Sequence, residues 1–274
     1  MATAWTQAEG RQKLSRIMHG AEVFTGPAAA TFAVDKFSIS SLAAYPNDYF
    51  NDWFGRVYSG PLAGANFSVD DYEQIVGPTF IKSLFTIKPQ QATAFVVGDF
   101  IELHETYSPL ELDDAINLAL SFVENEALED HMDDSVVGIE STFEYSIPPE
   151  FAYIDDIYQM NSDGTLGGKN KIDVRWWSIL PGRTLWFDRD LFGPVAGRKF
   201  RMVGQKYPKQ LTKDADISSV NQGYVLFQAK ANIHLARSDE PGDEQDKSML
   251  RAQALADRER TKLLVASRGS KVEF

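Results

Sequence analysis

The spacing of apolar residues changes several times along the chain, and each change marks a different predicted element. Residues Thr6 to His19 form a short predicted helix with Leu14, Ile17 and Met18 on one side. From Ala21 to Tyr107 β-branched and aromatic residues are enriched, and short strands are predicted in the segments ATFAVDKF, WFGRVYSG, FIKSLFTI and FVVGDFIEL. The pattern therefore predicts a β-rich insertion after the first helix.

The strongest helix signal begins at Ser108. Ser108-Pro109-Leu110-Glu111 has the form of a capping box, in which the serine hydroxyl and the glutamate carboxylate bind the free N–H groups of the first turn. Apolar residues then recur at steps of three and four, at Leu112, Ile116, Ala119 and Val123. This spacing predicts a helix that ends near Glu129.

From Val136 apolar and polar residues alternate along the chain, and this pattern predicts a meander of antiparallel strands up to Pro208. Asp163-Gly164 and Pro181-Gly182 mark two of its turns, because glycine adopts the positive φ that many tight turns require. Two more helices are predicted, one over 219–237 with apolar residues on all sides and one over 244–266 that is strongly charged.

Composition and charge narrow the class of protein. The chain has 274 residues, 43% apolar residues and no cysteine, and it lacks an apolar stretch long enough for a membrane span. These features predict a soluble protein of the cytoplasm. The net charge is −12, yet no Lys or Arg lies between Lys88 and Lys169, whereas the last thirty residues carry seven bases and four acids. This distribution predicts that the basic C-terminal end binds an acidic partner.

The search for catalytic or metal-binding motifs identifies no catalytic residue, and no cofactor or metal is expected. The segment 164–170 is one residue too short for a phosphate-binding loop. The acidic run 129–134 lacks the alternation of a calcium loop, and Asp155 and Asp156 would point to opposite faces of a strand.

Several short motifs, in a fixed order, resemble one protein family. A Gly98-Asp99 strand precedes an "AIN-A" helix at Ala115, and a "Y-IP" strand begins at Tyr145. A "GQ-YP-LT-D-D" segment from Gly204 then leads into a long apolar helix and a shorter charged one. Over residues 95–265 this order resembles the adaptor, or head-tail connector, proteins of tailed bacteriophages.

The resemblance implies an α+β fold with a helical-bundle core and β-rich insertions that form an antiparallel sandwich or barrel-like domain. The bundle would comprise residues 1–20, 108–134 and 217–266. The first β insertion would comprise 21–107, the second β domain 135–210, and a flexible tail 267–274.

The resemblance also implies a structural, non-enzymatic virion protein of the neck between portal and tail. Identical copies would form a ring that matches the portal symmetry, a dodecamer, in contact with the portal and neighbouring neck or tail proteins. DNA would pass through the ring without specific binding. The predicted portal-contacting residues are Arg251, Arg258, Arg260, Lys262, Arg268 and Lys271. The predicted channel-lining residues are Glu124, Glu126, Glu129 and Asp130.

Two other functions stay open at this point. A tail or baseplate protein could recognise a receptor or glycan through exposed aromatic residues at Trp176 and Trp177. A hydrolase with an unrecognised pair of carboxylates is the third alternative, although no geometry can be proposed for it.

Overall fold

The structure is a computed structural model that describes residues 4–18, 22–78, 81–123, 127–166, 170–237, 243–263 and 270–271. Its helices are α1 (Gln7–Ile17), α2 (Pro109–Ser121), α3 (Gln222–Arg237) and α4 (Asp243–Arg260). Single 3₁₀ turns lie at Ser40–Leu42 and Val174–Trp176. The strands are β1 (Trp5–Thr6), β2 (Val23–Pro27), β3 (Ala30–Ala33), β4 (Lys36–Ser38), β5 (Phe54–Val57), β6 (Asn66–Val76), β7 (Ile81–Lys88), β8 (Phe100–His104), β9 (Glu129–Asp133), β10 (Glu144–Ser146), β11 (Tyr153–Gln159), β12 (Trp177–Leu180), β13 (Thr184–Phe187), β14 (Phe200–Lys206), β15 (Ile217–Ser218) and β16 (Ser270–Lys271).

The chain divides into two compact units. The first comprises Thr3–Ser121 and Gln210–Thr261, and the second comprises Phe122–Lys209 and Lys262–Phe274. The first unit therefore contains the four helices of the described residues, together with strands β1 to β8 and β15.

A seven-stranded antiparallel sheet is the largest element of the first unit. Its strand order is β2-β8-β5-β6-β7-β4-β3. Aromatic side chains dominate the core on this sheet, and the rings of Phe37 and Phe85 stack with their centroids 5.0 Å apart. Phe50 and Tyr72 pack edge to face beside them. Phe37, Tyr72 and Phe85 belong to three adjacent strands of the sheet, and Phe50 packs on them from the segment before β5, so the sheet buries one aromatic layer.

The four helices pack beside one another in the same unit. A capping box begins α1: the Glu9 N–H donates to Oγ1 of Thr6, and the Thr6 N–H donates to the Glu9 carboxylate. The Lys230 ammonium of α3 donates to the Ile17 carbonyl at the end of α1, at 2.6 Å. Helix α3 also packs against α2 and α4, which explains why its apolar residues surround it.

Two antiparallel sheets form the second unit, with strand orders β10-β13-β12 and β16-β11-β14-β9. Both sheets contribute side chains to one core, for example Trp177 and Phe187 from the first and Ile157 and Phe200 from the second. The predicted turns at Gly164 and Gly182 are present, and both glycines have positive φ.

The predicted helical-bundle core is wrong for the part of the chain that the structure describes. Helices account for 25% of the residues and strands for 32%, and the seven-stranded sheet is the main element. The segment 21–107, expected as a β-rich insertion into a fold with a helical core, buries an aromatic core of its own. The apolar character of α3 reflects its three helical neighbours, and it does not place α3 at the centre of a bundle fold.

The predicted end of the second helix is also wrong. Helix α2 ends at Ser121, and Glu129 begins strand β9. Val123, Ala127 and Leu128 are all buried, so apolar spacing continues beyond the end of the helix. Pairing of β9 with β14 decides the conformation there, and this long-range contact leaves no local signal.

Candidate functional site

The basic residues predicted to bind a partner are divided between the two compact units. Arg251, Arg258 and Arg260 are exposed on α4, and Lys262 is exposed after its end. Lys271 lies in β16, opposite Tyr153 of β11. Arg268 lies outside the described residues.

Two of the predicted arginines share one face of α4. Arg251, Leu255 and Arg258 follow at steps of four and three, which places their side chains on the same side of a helix. Leu255 is 41% exposed although it is apolar. Arg260 is two residues beyond Arg258 and therefore points in a different direction. We call the first three residues the α4 basic stripe.

The cations of the α4 basic stripe have no acidic partner within the described part of the chain. The ion pairs of that part involve other bases, and neither Arg251 nor Arg258 takes part in one. Bases in a last helical turn favourably oppose the helix dipole, which accounts for Arg258. Arg251 lies more than two turns before the end of α4, where that effect has faded, so a binding role suits it better than a helix-capping one.

The predicted channel-lining residues that the structure describes differ in solvent exposure. Glu124 and Glu126 lie outside the described residues. Glu129 is buried in β9, 4% exposed, and opposes Lys206 of β14, whereas Asp130 is exposed on the same strand. Among the described candidates, only Asp130 presents its carboxylate at the surface of the chain.

A groove of about 430 Å³ lies between α2 and α3 in the first unit. Its walls are mainly apolar and include Leu110, Ala115, Leu118, Ile233 and Ala236, with Asp114 at the rim. Leu110 and Leu118 are 53% and 47% exposed. We call this feature the α2–α3 groove.

A network of buried charges lies elsewhere in the first unit, around Arg11. The guanidinium of Arg11 is fully buried: Nε donates to Glu102, Nη1 donates to both oxygens of Asp113 at 2.7 and 2.8 Å, and Nη2 donates to Asp214 at 2.6 Å. Arg56 donates to Asp214 at 2.9 Å through its own Nε. The network joins α1, α2, β5, β8 and the segment before β15.

Burial and charge act against each other on the pKa values of these groups. Burial alone would lower the pKa of Arg11, but its three carboxylate neighbours outweigh that effect and raise it. Burial would raise the pKa of Glu102, yet His104 and Arg11 together hold it below its ordinary value. The pKa of Asp113 is raised, because burial there outweighs the charge of Arg11. The Arg11 charge is thus held firmly, and the network is suited to joining elements.

Motif residues far apart in sequence meet beside this network. Asn117, from the "AIN-A" segment, donates to the Leu211 carbonyl at 2.9 Å and accepts from the Leu211 N–H at 2.8 Å. Asp214 belongs to the same "LT-D-D" segment as Leu211. These contacts fasten the segment before α3 to helix α2.

Sequence reasoning missed the network, although one signal was present. Arg11 lies three residues before Leu14 and seven before Met18, on the buried face of α1. Glu102 lies between Ile101 and Leu103 in a strand with sheet neighbours on both sides. A charge on an apolar face requires a buried partner of opposite sign, but the sequence does not identify which one.

Within the described residues, no three metal-ligating side chains are grouped so that they could hold an ion. None of the helices described there has the length and apolar character needed to cross a bilayer.

Trp177 is buried in the core of the second unit and Trp176 packs against that core. The aromatic platform of the receptor-binding alternative therefore has no fully exposed tryptophan at these two positions.

No protein-family model matches the chain, and no curated protein sequence is significantly similar to it.

Proposed function

We propose that this protein is a structural adaptor of a tailed bacteriophage, which joins the portal to the neck or tail and docks on an acidic surface through helix α4. The observation that carries this proposal is the α4 basic stripe: two arginines without ion pairs in the described part of the chain flank an exposed leucine. The order of sequence motifs supplies the class of assembly.

The charges of the stripe suit a protein partner. Cations at an interface steer a partner of opposite charge and fix its orientation, and the apolar Leu255 supplies area that excludes water. Nucleic acid is a poorer partner, because its affinity depends on many contacts between cations and phosphates, and the stripe offers two arginines on either side of an apolar leucine. In the proposed ring, exposed carboxylates such as Asp130 would keep DNA from adhering to the channel.

Capture of the protein by a purified portal ring tests the proposal. We expect the Arg251→Glu/Arg258→Glu variant to lose at least tenfold in affinity, because each reversal replaces attraction to an acidic surface by repulsion. Lys209→Glu/Lys213→Glu is the matched control, since it changes the net charge equally at two other exposed lysines.

The control variant should bind nearly as well as the wild type. Equal loss in both variants would show a general effect of net charge, and unchanged binding of the arginine variant would refute docking through α4. Deleting residues 267–274 examines the C-terminal residues separately, and undiminished capture would remove them from the interface.

A further inference from the structure

The exposed surface of helix α4 continues from the basic stripe onto an adjoining strip, since Lys247 lies four residues before Arg251 and Ala254 lies four before Arg258. Lys247, Leu250 and Ala254 follow at steps of three and four, and all three are exposed. Leu250 is 62% exposed, and Lys247 has no acidic partner in the described part of the chain. We call these residues the α4 crest.

The α2–α3 groove has the complementary features. Its apolar walls are open to solvent at Leu110 and Leu118. Two carboxylates lie at its rim, but Glu111 is already bound by Arg237 at 2.6 Å. Asp114 is exposed and makes no ion pair with any residue that the structure describes. The groove thus offers an apolar cleft with one available negative charge.

Within one molecule the α4 crest does not contact the α2–α3 groove. Helix α4 packs on α3 through its opposite face, where Ala252 and Ala256 are buried. The crest stays exposed while the groove stays open.

We infer that the α4 crest of one copy binds the α2–α3 groove of a second copy, with Leu250 inserted between Leu110 and Leu118 and Lys247 paired with Asp114. The two surfaces carry opposite charges and are both apolar, and neither is covered by another segment in the part of the chain that the structure describes. Because they differ, the contact is heterologous: every added copy leaves one crest and one groove free, so the series ends only when a ring closes. For its place in a virion, the contact rests on the proposed adaptor function.

Cysteine cross-linking without a portal tests the contact, and the absence of native cysteine gives a clean background. The two probe proteins are A236C, with the thiol in the groove wall, and A254C, with the thiol on the crest. In a concentrated mixture under mild oxidation we expect A236C–A254C dimers to exceed either symmetric dimer. A dominant symmetric product, or no product above the single-protein controls, would overturn the inference.

A charge exchange shows whether the proposed pair forms. Adding Asp114→Lys to the A236C protein places two like charges together, and we expect the association constant to fall about tenfold. Adding Lys247→Glu to the A254C protein should then restore cross-linking to this partner. Undiminished cross-linking of the first variant, or failure of the second to restore it, would refute the pairing.

Leu250→Ser in the A254C protein tests the apolar part of the contact separately. This exposed substitution should preserve the fold, checked by thermal unfolding, and lower cross-linking. Portal capture of the A236C and A254C proteins without further substitution separates the two proposals: absent A236C–A254C cross-linking with intact capture refutes the groove contact alone, whereas absent capture with intact cross-linking refutes the adaptor function alone.

Discussion

Replacing Arg11 by methionine removes the central cation of the buried network while keeping most of the aliphatic volume. Two arginines face three carboxylates in the native network, and in the variant Arg56 alone remains. Asp113 loses both of its short bonds to Arg11 and retains only Arg56, at 3.9 Å. Glu102 keeps a bond from Gln12 at 3.1 Å.

We expect this substitution to lower the free energy of unfolding by about 3–5 kcal/mol at pH 7, the usual cost of leaving buried charge without its partner. That is a large share of the roughly 5–15 kcal/mol by which folded proteins are stable. Arg16→Met is the matched control on the exposed side of α1 and should change stability by less than about 0.5 kcal/mol. Hydrogen exchange of the α1 and β8 amides reports on the unit that contains the network.

The loss should depend on pH. In the native protein the pKa of Glu102 is held below its ordinary value, so this group stabilises the fold above its unfolded pKa and loses that contribution as pH falls through the folded one. Without Arg11, Glu102 loses two of the interactions that lower its pKa, while burial and the interaction with His104 remain. Its pKa therefore rises, and the folded variant binds protons more tightly than the folded native protein. Acidification then stabilises the variant relative to the native protein.

The difference between the two proteins should therefore be largest near neutral pH and smaller near pH 4.5. A second variant, Arg11→Met/Glu102→Gln, removes one of the stranded charges and should recover part of the loss at pH 7. A loss below about 1 kcal/mol, or one that grows on acidification, would refute the assignment of a stabilising role to the Arg11 charge.

Two further predictions concern the local structure of each unit. Thr6→Ala removes the capping side chain of α1 and should cost about 1 kcal/mol by urea unfolding, whereas Thr106→Ala, at an exposed position, should be nearly neutral. A Cβ at Gly204 would lie 2.1 Å from the Tyr153 carbonyl oxygen, so Gly204→Ala should cost about 1–3 kcal/mol in calorimetric unfolding. Gly193→Ala, where a Cβ meets nothing within 4 Å, is its control, and equal effects of the two glycine variants would contradict this explanation.

Local signals predicted the helices better than they predicted the sheets. The Ser108 hydroxyl accepts from the Glu111 N–H at 3.2 Å, as the capping box predicts. The Glu111 carboxylate binds Arg237 instead of completing the reciprocal bond. Thr6 and Glu9 have the same spacing and form both bonds of a capping box at the start of α1. Caps depend on residues three apart, and for this reason a sequence pattern can reveal them.

The strand order could not be derived in the same way. Strand β8 lies between β2 and β5, and β4 follows β7 in the sheet although it precedes it in sequence. Alternation assigns a strand two faces but does not specify its neighbours. The helical-bundle core was implied by the family resemblance, and the strand patterns could not correct it, because alternation within each β segment does not show that the segments share one aromatic core.

The distribution of charge connects the fold with the proposed interfaces. Arg11 and Arg56 are bound by buried carboxylates, so they stabilise the first unit and cannot attract a partner. Lys247, Arg251 and Arg258 have no such partner among the described residues, and their fields extend into solvent. At physiological salt that field decays over about 8 Å, so the net charge of −12 acts weakly at a distance and the nearest charges decide which surfaces meet. A strongly acidic chain can therefore bind an acidic partner, or a second copy of itself, through the basic face of one helix.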